Sequence, residues 1–185
     1  EGLEYQGTTE VKHLMWVLVE DYGLNRLKSL VRRPLEGIAL APFYGCYVLR
    51  PTNKLGYDEH PERDTYLEKI IETLGGIPVD YSGKTKCCGF PILTMNRDNS
   101  LNMAGTHLLE AVGKGADAMV TPCPLCHLNM DGQQPEAAKV KKTQIGLPVI
   151  HLPQIIGLAL GLDPKSLGLN RHIVSTKSLL AKIPT

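Results

Sequence analysis

Short apolar runs alternate with longer amphipathic segments along most of this chain. The short runs are bounded by turn residues, which is typical of strands that are buried on both faces of a parallel sheet. We predict four such strands, at residues 37–41, 77–81, 118–121 and 148–150. The longer segments repeat their apolar residues with the helical period and predict helices that cover the sheet. These helices span residues 62–74, 100–112 with Ser100 as its cap, 126–142 and 154–160.

A helical hairpin is expected before the first strand. Five apolar residues fall on one stripe of a helix and predict a packing element. They are Val11, Leu14, Met15, Leu18 and Val19. Thr8 or Thr9 can cap the start of this helix, and Gly23 can end it. A second short helix is predicted over residues 25–31.

Strands that alternate with helices predict an α/β fold. We expect a short parallel four-stranded sheet with helices on both faces. Residues 36–185 form this single domain, and residues 1–35 are a helical hairpin linker before it. In sheets of this kind, ligands bind outside the carboxyl ends of the strands. A functional site is therefore expected at that edge.

The composition is that of an ordinary globular protein and argues against two classes of function. Lys and Arg number 20 against 19 Asp and Glu in 185 residues, whereas a general nucleic-acid surface needs a basic excess. No apolar run reaches the roughly 20 residues that span a bilayer. The chain starts at Glu1, without Met and without a signal-peptide pattern. We therefore expect part of a longer protein, with no nucleic-acid partner, in a reducing, cytoplasmic compartment.

Five cysteines follow three of the predicted strands. Cys46 comes after the first strand, Cys87 and Cys88 after the second, and Cys123 and Cys126 after the third. Since the carboxyl ends of parallel strands share one edge, we expect the five thiols to meet there. An odd number of cysteines is a poor disulfide framework, and a C-x-x-C motif together with an adjacent pair favours metal or redox chemistry.

Thiolates bind zinc, Cu(I) and iron–sulfur clusters. A C-x-x-C at a helix start holds one metal easily, because amide N–H groups and the helix N-terminus favour negative sulfur. Neighbouring side chains diverge, so the adjacent pair Cys87 and Cys88 fits a cluster with separated iron atoms better than one small ion. Five thiols also exceed the four ligands of structural zinc or of a cubane cluster. A zinc site with a spare thiol and a metal-free catalytic dithiol are the alternatives.

The cysteine pattern resembles that of a known family. Cys46, Cys87-Cys88-Gly89 and Cys123-Pro124-Leu125-Cys126 are similar to the cysteine-rich CCG domain found in the B subunit of heterodisulfide reductases and in related iron–sulfur subunits. The resemblance covers essentially the whole chain and is to the second half of that B subunit. It includes three segments outside the cysteines, which are residues 11–14, 148–154 and 168–172.

The resemblance implies an iron–sulfur redox subunit that reduces or forms disulfides or other sulfur–sulfur bonds. It implies a second CCG domain before this one, a small thiol or disulfide substrate, and partner subunits that are ferredoxin-like (the C subunit) and flavin-containing (the A subunit). It also implies a noncubane 4Fe-4S cluster whose ligands are Cys46, Cys87, Cys88, Cys123 and Cys126. For the cofactor, zinc or an empty site is the alternative. For the function, the alternatives are a zinc-stabilised interaction module and an electron relay without its own substrate site.

Three residues outside the cysteines are candidates for proton delivery or for binding an anionic substrate, namely His151, His127 and Arg171. His151 directly follows the fourth strand and is expected at the same edge as the cysteines. A helix-surface or capping role is the alternative for each. Gly89 is expected to let the backbone approach a cluster closely. Lys84 and Lys86 precede the cysteine pair and can offset the negative charge of bound thiolates.

Overall fold

The computed structural model describes residues 2–184, and a sheet of four parallel strands lies at its centre. The strands are β1 (Ala39–Pro42), β2 (Ile77–Pro78), β3 (Ala118–Thr121) and β4 (Val149–His151). They lie in the order β2-β1-β3-β4, and Leu40 of β1 pairs with Pro78 of β2 and with Ala118 of β3. The predicted α/β fold with a four-stranded parallel sheet is confirmed.

The strand β2 is shorter than its apolar run. Regular pairing ends at Pro78, which has no N–H to donate and is tolerated because β2 is an edge strand. Val79 N still donates to the Leu40 carbonyl at 2.9 Å. The other three strands begin and end within two residues of their predicted bounds.

Successive residues of the strands point to opposite faces of the sheet and build two apolar cores. Leu40, Val120 and Ile150 lie in the core on one face. The core on the other face contains their neighbours in sequence, which are Ala41, Met119 and Val149. Strands β1, β3 and β4 are therefore buried on both sides, as their unbroken apolar runs predicted, whereas Ile77 of the edge strand β2 is 54% exposed.

Helices cover both faces, as predicted. Within residues 2–184 they are α1 (Leu14–Trp16), α2 (Leu24–Ser29), α3 (Tyr66–Thr73), α4 (Arg97–Gly113), α5 (Pro124–Gly132), α6 (Gln134–Lys141), α7 (Leu152–Ala159) and α8 (Lys177–Leu180). Helices α1, α2, α3, α7 and α8 bury residues in the first core. Helices α4 and α5 bury residues in the second core, and α6 packs on α4.

The N-terminal helix begins later than predicted. Residues 8–12 are exposed and lie outside any helix, and Leu14 is exposed as well. The threonine caps and the places of Val11 and Leu14 on a buried stripe are therefore wrong. The side chain of His13 instead accepts a hydrogen bond from Met15 N at 3.1 Å and caps the helix. The helix continues from α1 as a π-helical segment and ends at Gly23, as predicted.

Three other predicted helices also differ from the structure. Helix α3 begins at Tyr66, after the 3₁₀ turn Pro61–Thr65, rather than at residue 62. The side chain of Asn96 caps α4, and Ser100 lies buried inside that helix rather than at its start. The single helix predicted over residues 126–142 is two helices, α5 and α6. Pro135 explains the break, because its ring has no N–H to donate and clashes with the preceding helical turn.

The N-terminal hairpin packs directly on the rest of the fold. Met15 and Leu27 lie in the first core. Above them, Glu20 accepts two hydrogen bonds from Arg63, at 2.7 and 2.8 Å. The guanidinium carbon of Arg63 lies 4.0 Å from the centre of the Trp16 ring. A buried ion pair and apolar contacts thus attach residues 14–29 to the sheet domain, while the division at residue 35 stays a prediction.

Membrane-crossing helices do not occur in the part of the chain that the structure describes. The longest helix, α4, has 17 residues. No helix there combines the length and the apolar character that a bilayer requires.

Replacing Arg63 by Gln is expected to lower the free energy of unfolding by about 3 kcal/mol, because the buried Glu20 carboxylate loses its bidentate partner. Hydrogen bonds from Arg63 hold the pKa of Glu20 below its usual value. The stabilisation is therefore present at neutral pH and is lost as the pH falls through that lowered pKa. Urea unfolding at neutral pH measures the difference.

The matched control is Arg97→Gln, at an exposed arginine whose side chain contacts Gln133. It is expected to change the free energy of unfolding by less than about 0.5 kcal/mol. Equal stability of the two variants would contradict the assignment of the Glu20–Arg63 pair as the main polar attachment of the hairpin.

Candidate cysteine-rich metal centre

The five cysteines lie on three loops at the carboxyl edge of the sheet. Cys46 follows β1, Cys87 and Cys88 follow β2, Cys123 is the N-cap of α5 after β3, and Cys126 lies in the first turn of α5. Strands β1 and β3 are the neighbours at which the strand order reverses. Sheets of this class bind ligands at that switch point. Cys88 and Cys126 are buried there, and the other three are half-buried.

The thiols influence one another's acidity in two sets. Cys46 interacts with Cys87, and Cys126 interacts with both Cys123 and Cys88. The adjacent residues Cys87 and Cys88 therefore turn towards different partners. Cys46 also interacts electrostatically with Cys88, which places the two sets side by side.

The thiol network separates the acidities of the cysteines. The hydrogen bond from Cys126 lowers the pKa of Cys123 to about 6, against the opposing effect of burial. It also lowers the pKa of Cys88. The pKa of Cys126 is raised, because its proton is shared with these two sulfurs. Burial, followed by an electrostatic interaction with Cys87, raises the pKa of Cys46 to about 11. Two sulfurs of one set thus favour the thiolate form, which is the form that binds metals.

Backbone N–H groups point at three of the sulfurs. Gly89 N donates to Cys87 Sγ at 3.4 Å, and Phe90 N donates to Cys88 Sγ at 3.5 Å. Two N–H groups from the first turn of α5 do the same for Cys123. Donors at these positions stabilise negative charge on sulfur, whether the thiolate is free or bound to a metal.

Two glycines let the backbone pass close to neighbouring atoms. A Cβ on Gly45 would lie 2.7 Å from Cys126 Sγ, and a Cβ on Gly89 would lie 2.8 Å from the Ser100 carbonyl oxygen. Their φ angles are 72° and 92°, a region that side chains rarely adopt. Gly89 therefore lets the turn that contains Cys87 and Cys88, the cysteine-pair turn, pack closely against α4. Gly45 lets the loop that contains Cys46 reach Cys126. Sequence reasoning did not identify the role of Gly45.

Polar side chains from α4 and α5 hold the cysteine-pair turn in place. Asn129 Nδ2 donates to the Cys88 carbonyl at 2.8 Å, and His107 Nε2 lies 3.1 Å from the Cys87 carbonyl. Asn129 is 1% exposed, so its hydrogen bond is shielded from water. Sequence reasoning missed both residues. The position of Asn129, three residues after Cys126 on one helix, is the signal that could have found it.

The other predicted site residues lie in and beside a row of histidines. His151 ends β4, and its Nε2 lies 3.3 Å from the Pro122 carbonyl. The ring centre of His127 is 6.2 Å from that of His151 and 4.8 Å from that of His172. Arg171 is exposed and lines a cavity of about 500 Å³ with His127 and His172. The structure thus brings the three residues near one another, while their catalytic roles stay predictions. His172 was not singled out from the sequence.

The lysines that precede the cysteine pair are arranged differently from one another. Lys84 forms ion pairs with Glu68 at 3.0 Å and with Asp80 at 2.9 Å. Its charge is thus already balanced by carboxylates. Lys86 is exposed, and of the two it is the lysine whose charge is available to the thiol site.

Comparisons with known proteins agree with this geometry. The family model "Cysteine-rich domain" (CCG) matches residues 40–131, which contain all five cysteines. The chain is 38% identical over 178 residues to the 8-methylmenaquinol:fumarate reductase membrane anchor subunit of Wolinella succinogenes, covering 96% of this chain and 62% of the relative. It is 35% identical over 187 residues to the B subunit of the ferredoxin:CoB-CoM heterodisulfide reductase of Methanosarcina mazei, covering 98% and 61%. It is 31% identical over 167 residues to an Archaeoglobus profundus protein that is named as similar to the heterodisulfide reductase B subunit, covering 89% and 56%.

The chain spans about three fifths of the length of these curated relatives. A crystal structure of a hypothetical protein from Helicobacter pylori superposes on it with a TM-score of 0.63 and 16% identity. The match covers 82% of this chain and 28% of that one. At this level of identity the likeness shows the α/β fold alone.

Gly89→Ala is expected to lower the free energy of unfolding by at least about 2 kcal/mol, because the new Cβ combines a strained φ with a backbone clash. Gly113→Ala is the control. Gly113 ends α4, and a Cβ there meets nothing within 4 Å. That change is expected to be neutral or to stabilise by up to about 1 kcal/mol. Thermal and urea unfolding of both variants measure the difference, and a Gly89→Ala variant as stable as the wild type would contradict the close approach.

In metal-free protein, iodoacetamide is expected to alkylate Cys123 fastest, with a rate that rises through a midpoint near its pKa of about 6. The thiolate is the nucleophile, so the rate follows the deprotonated fraction. Cys46, with a pKa of about 11, is the internal control and stays slow at neutral pH. Short alkylation pulses across a pH series, read by peptide mass spectrometry, give both midpoints. A Cys123 midpoint at the ordinary thiol value of about 8.5 would rule out the proposed network.

Proposed function

The chain belongs to the cysteine-rich CCG domain family, and from this we propose that it is an iron–sulfur redox subunit of a heterodisulfide reductase-like complex. The observation that carries the proposal is the meeting of five thiols from three loops at the switch point of the sheet. The proposed reaction is the reduction or formation of sulfur–sulfur bonds. It is supported by the names of the Methanosarcina and Archaeoglobus relatives.

A noncubane 4Fe-4S cluster is the proposed cofactor. The donor set fits such a group, because soft sulfurs select iron–sulfur clusters and five of them exceed a four-ligand site. The division of the thiols into two interacting sets supports ligands to more than one metal atom. The backbone N–H groups aimed at sulfur would stabilise its negative charge. The proposed ligands are Cys46, Cys87, Cys88, Cys123 and Cys126.

The proposed reaction needs protons as well as electrons. Cleavage of a disulfide consumes two electrons and two protons and releases two thiols, and the bound cluster would supply electrons to the sulfur–sulfur bond. His151 holds a proton on Nε2, because that atom faces the Pro122 carbonyl. The His151 side chain also forms a capping box with Gln154 at the start of α7, so uptake of a proton at Nδ1 would open that contact. We assign proton transfer to His151 and His127, and binding of an anionic substrate group to Arg171 at the mouth of the cavity.

The proposed partners are the other subunits of such a complex. They comprise a ferredoxin-like C subunit and a flavin-containing A subunit, with a small thiol or disulfide as substrate and the cytoplasm as location. The lengths of the relatives support a further CCG domain outside residues 1–185, since this chain spans about three fifths of them. That second CCG domain would close the side of the cysteine site that one CCG domain leaves open.

A second candidate is an electron-relay subunit without its own substrate site. The name of the Wolinella relative favours it, because a fumarate reductase membrane anchor subunit is named for a reaction that is not at sulfur. Addition of a small thiol to the oxidised, iron-loaded protein separates the two candidates. A changed EPR spectrum supports a substrate site at the cluster, and an unchanged spectrum supports the relay.

Anaerobic reconstitution with iron and sulfide is expected to give brown protein with about four irons per chain. Iron and sulfide analysis, together with visible absorption and EPR, measure the outcome. Colourless protein that retains about one zinc per chain would contradict the cluster and favour the zinc-stabilised interaction module.

Cys88→Ser tests whether the fifth thiol is a ligand. The variant is expected to lose at least about half of its iron and to change its spectrum, because a hydroxyl is a poor substitute for a soft ligand. Thr85→Ser, a conservative change in the same loop, is the control and is expected to load fully. Full loading and an unchanged spectrum in Cys88→Ser would remove that cysteine from the ligand set.

A further inference from the structure

Three side chains with metal-ligating atoms meet beside the cysteines without belonging to their network. His127 and Asp131 lie four residues apart on one face of α5, and His172 follows the 3₁₀ turn Leu169–Arg171. One ligand atom from each residue lies within 4.8 Å of the other two. A helix turns by about 100° per residue, so the side chain of His127 leaves α5 in a different direction from that of Cys126.

We propose that His127, Asp131 and His172 form a second metal site that binds one borderline divalent cation, such as Zn²⁺, Fe²⁺ or Co²⁺. Two imidazoles and one carboxylate are a ligand set that suits these cations. Three protein ligands leave coordination positions open, as in catalytic rather than structural sites. The thiols are not part of this ligand set, so the proposal does not depend on the iron–sulfur function; a cation on His127 would leave the proposed proton transfer to His151.

The two imidazoles present unused nitrogens to this site. Within the described residues, His127 Nε2 and His172 Nδ1 are buried and have no hydrogen-bond partner. The side chain of His172 is 3% exposed and that of Asp131 is 5% exposed. A buried polar atom without a partner costs about 1–3 kcal/mol, which a bound cation would relieve. Burial lowers the pKa of both imidazoles although Asp131 opposes it, which favours the neutral form that acts as a ligand.

The carboxylate of Asp131 is held in position for a cation. Its Oδ2 accepts from Ile173 N at 2.9 Å, and its Oδ1 accepts from Val174 N at 3.1 Å. A carboxylate offers about four lone pairs, so about two remain. Oδ1 faces His172 Nδ1 at 3.9 Å. This is too long for a hydrogen bond, but two ligands of one ion, each about 2.1 Å from it, lie about 3–4 Å apart.

Metal binding by His172 requires a change in its hydrogen bond with Gln154. Gln154 Oε1 accepts from His151 N and Gln154 Nε2 donates to the Leu167 carbonyl, both at 3.0 Å. The remaining N–H of Gln154 faces His172 Nε2 at 3.1 Å. In the metal-free protein His172 therefore carries its proton on Nδ1. Coordination through Nδ1 moves that proton to Nε2, so the Gln154–His172 hydrogen bond must open as the metal binds.

The open side of the site is the cavity of about 500 Å³ described above. Leu128 and Ile173 line it with apolar surface and are 58% and 62% exposed. Arg171 adds a positive charge to the same wall. Coordination positions that the protein does not fill would thus face a space that admits water or a small anion.

Cobalt titration of the full chain, under anaerobic conditions with a phosphine reductant, separates this site from the thiols. Thiolate-bound Co²⁺ gives an intense sulfur-to-metal charge-transfer band together with d–d bands, whereas Co²⁺ bound by imidazole and carboxylate gives d–d bands alone. We expect the wild type to bind one Co²⁺ per chain that contributes d–d absorption without charge transfer. His127→Gln and Asp131→Asn are each expected to weaken this binding at least about tenfold, with the charge-transfer band unchanged.

His60→Gln is the matched control, because the His60 side chain lies beside Glu20 and does not line the cavity at the triad. It is expected to bind cobalt like the wild type. Asp131→Asn also alters an acceptor of two backbone N–H groups, so His127→Gln decides the result if the Asp131 variant unfolds in thermal melts. The proposal is overturned if every Co²⁺ that the wild type binds adds charge-transfer absorption, or if the Co²⁺ that binds without charge transfer persists in His127→Gln with unchanged affinity.

Discussion

The shared direction of the four strands is the constraint on which the candidate site depends. A strand of four residues is about 13 Å long, so reversing one of them would carry its cysteine to the far end of the sheet. With all strands parallel, the loops after β1, β2 and β3 open on one edge. The order β2-β1-β3-β4 then places the Cys46 loop next to Cys123. Sulfurs from three loops that are far apart in sequence therefore meet at this edge of the sheet. No loop has to cross the sheet to bring them together.

Strand side chains alternate between the two faces of the sheet and build the two cores. The same alternation places packed apolar side chains against the thiols. Met119 and Val149 belong to the second core together with Cys88 and Cys126. Sulfur therefore sits on packed apolar side chains rather than in a solvent-filled loop cluster. Asn129 is the polar element of this support, since its bond to the Cys88 carbonyl lies out of contact with water. An unsatisfied carbonyl at that depth would cost about 1–3 kcal/mol.

The strands and the loops with cysteines could be predicted from sequence because both are local signals joined by one topological rule. Apolar runs mark buried strands, and parallel order brings their ends together. Helix starts were less predictable, since they depend on which side chain forms the cap. His13 and Asn96 do so here, and the threonines and Ser100 do not. The break at Pro135 could have been predicted, because a proline inside a helical pattern ends a helix; the apolar periodicity alone predicted one continuous helix.

The site residues also divide into those that local sequence signals identify and those that only the fold reveals. The cysteines could be located from the chain, whereas the roles of Gly45 and His172 depend on contacts with α5 that form only in the fold.

Helix α5 links the two proposed sites, and its geometry makes them interdependent. Successive residues leave a helix about 100° apart, so Cys126 and His127 can serve different sites from one turn. A cation held by His127 and Asp131 would lie one residue along the helix from thiolates that carry negative charge. In a poorly hydrated environment such charges interact over longer distances than in water. Cation binding would therefore favour the state of the thiol site that carries more negative charge. Because coupling between two sites is reciprocal, a more negatively charged thiol site would in turn strengthen cation binding.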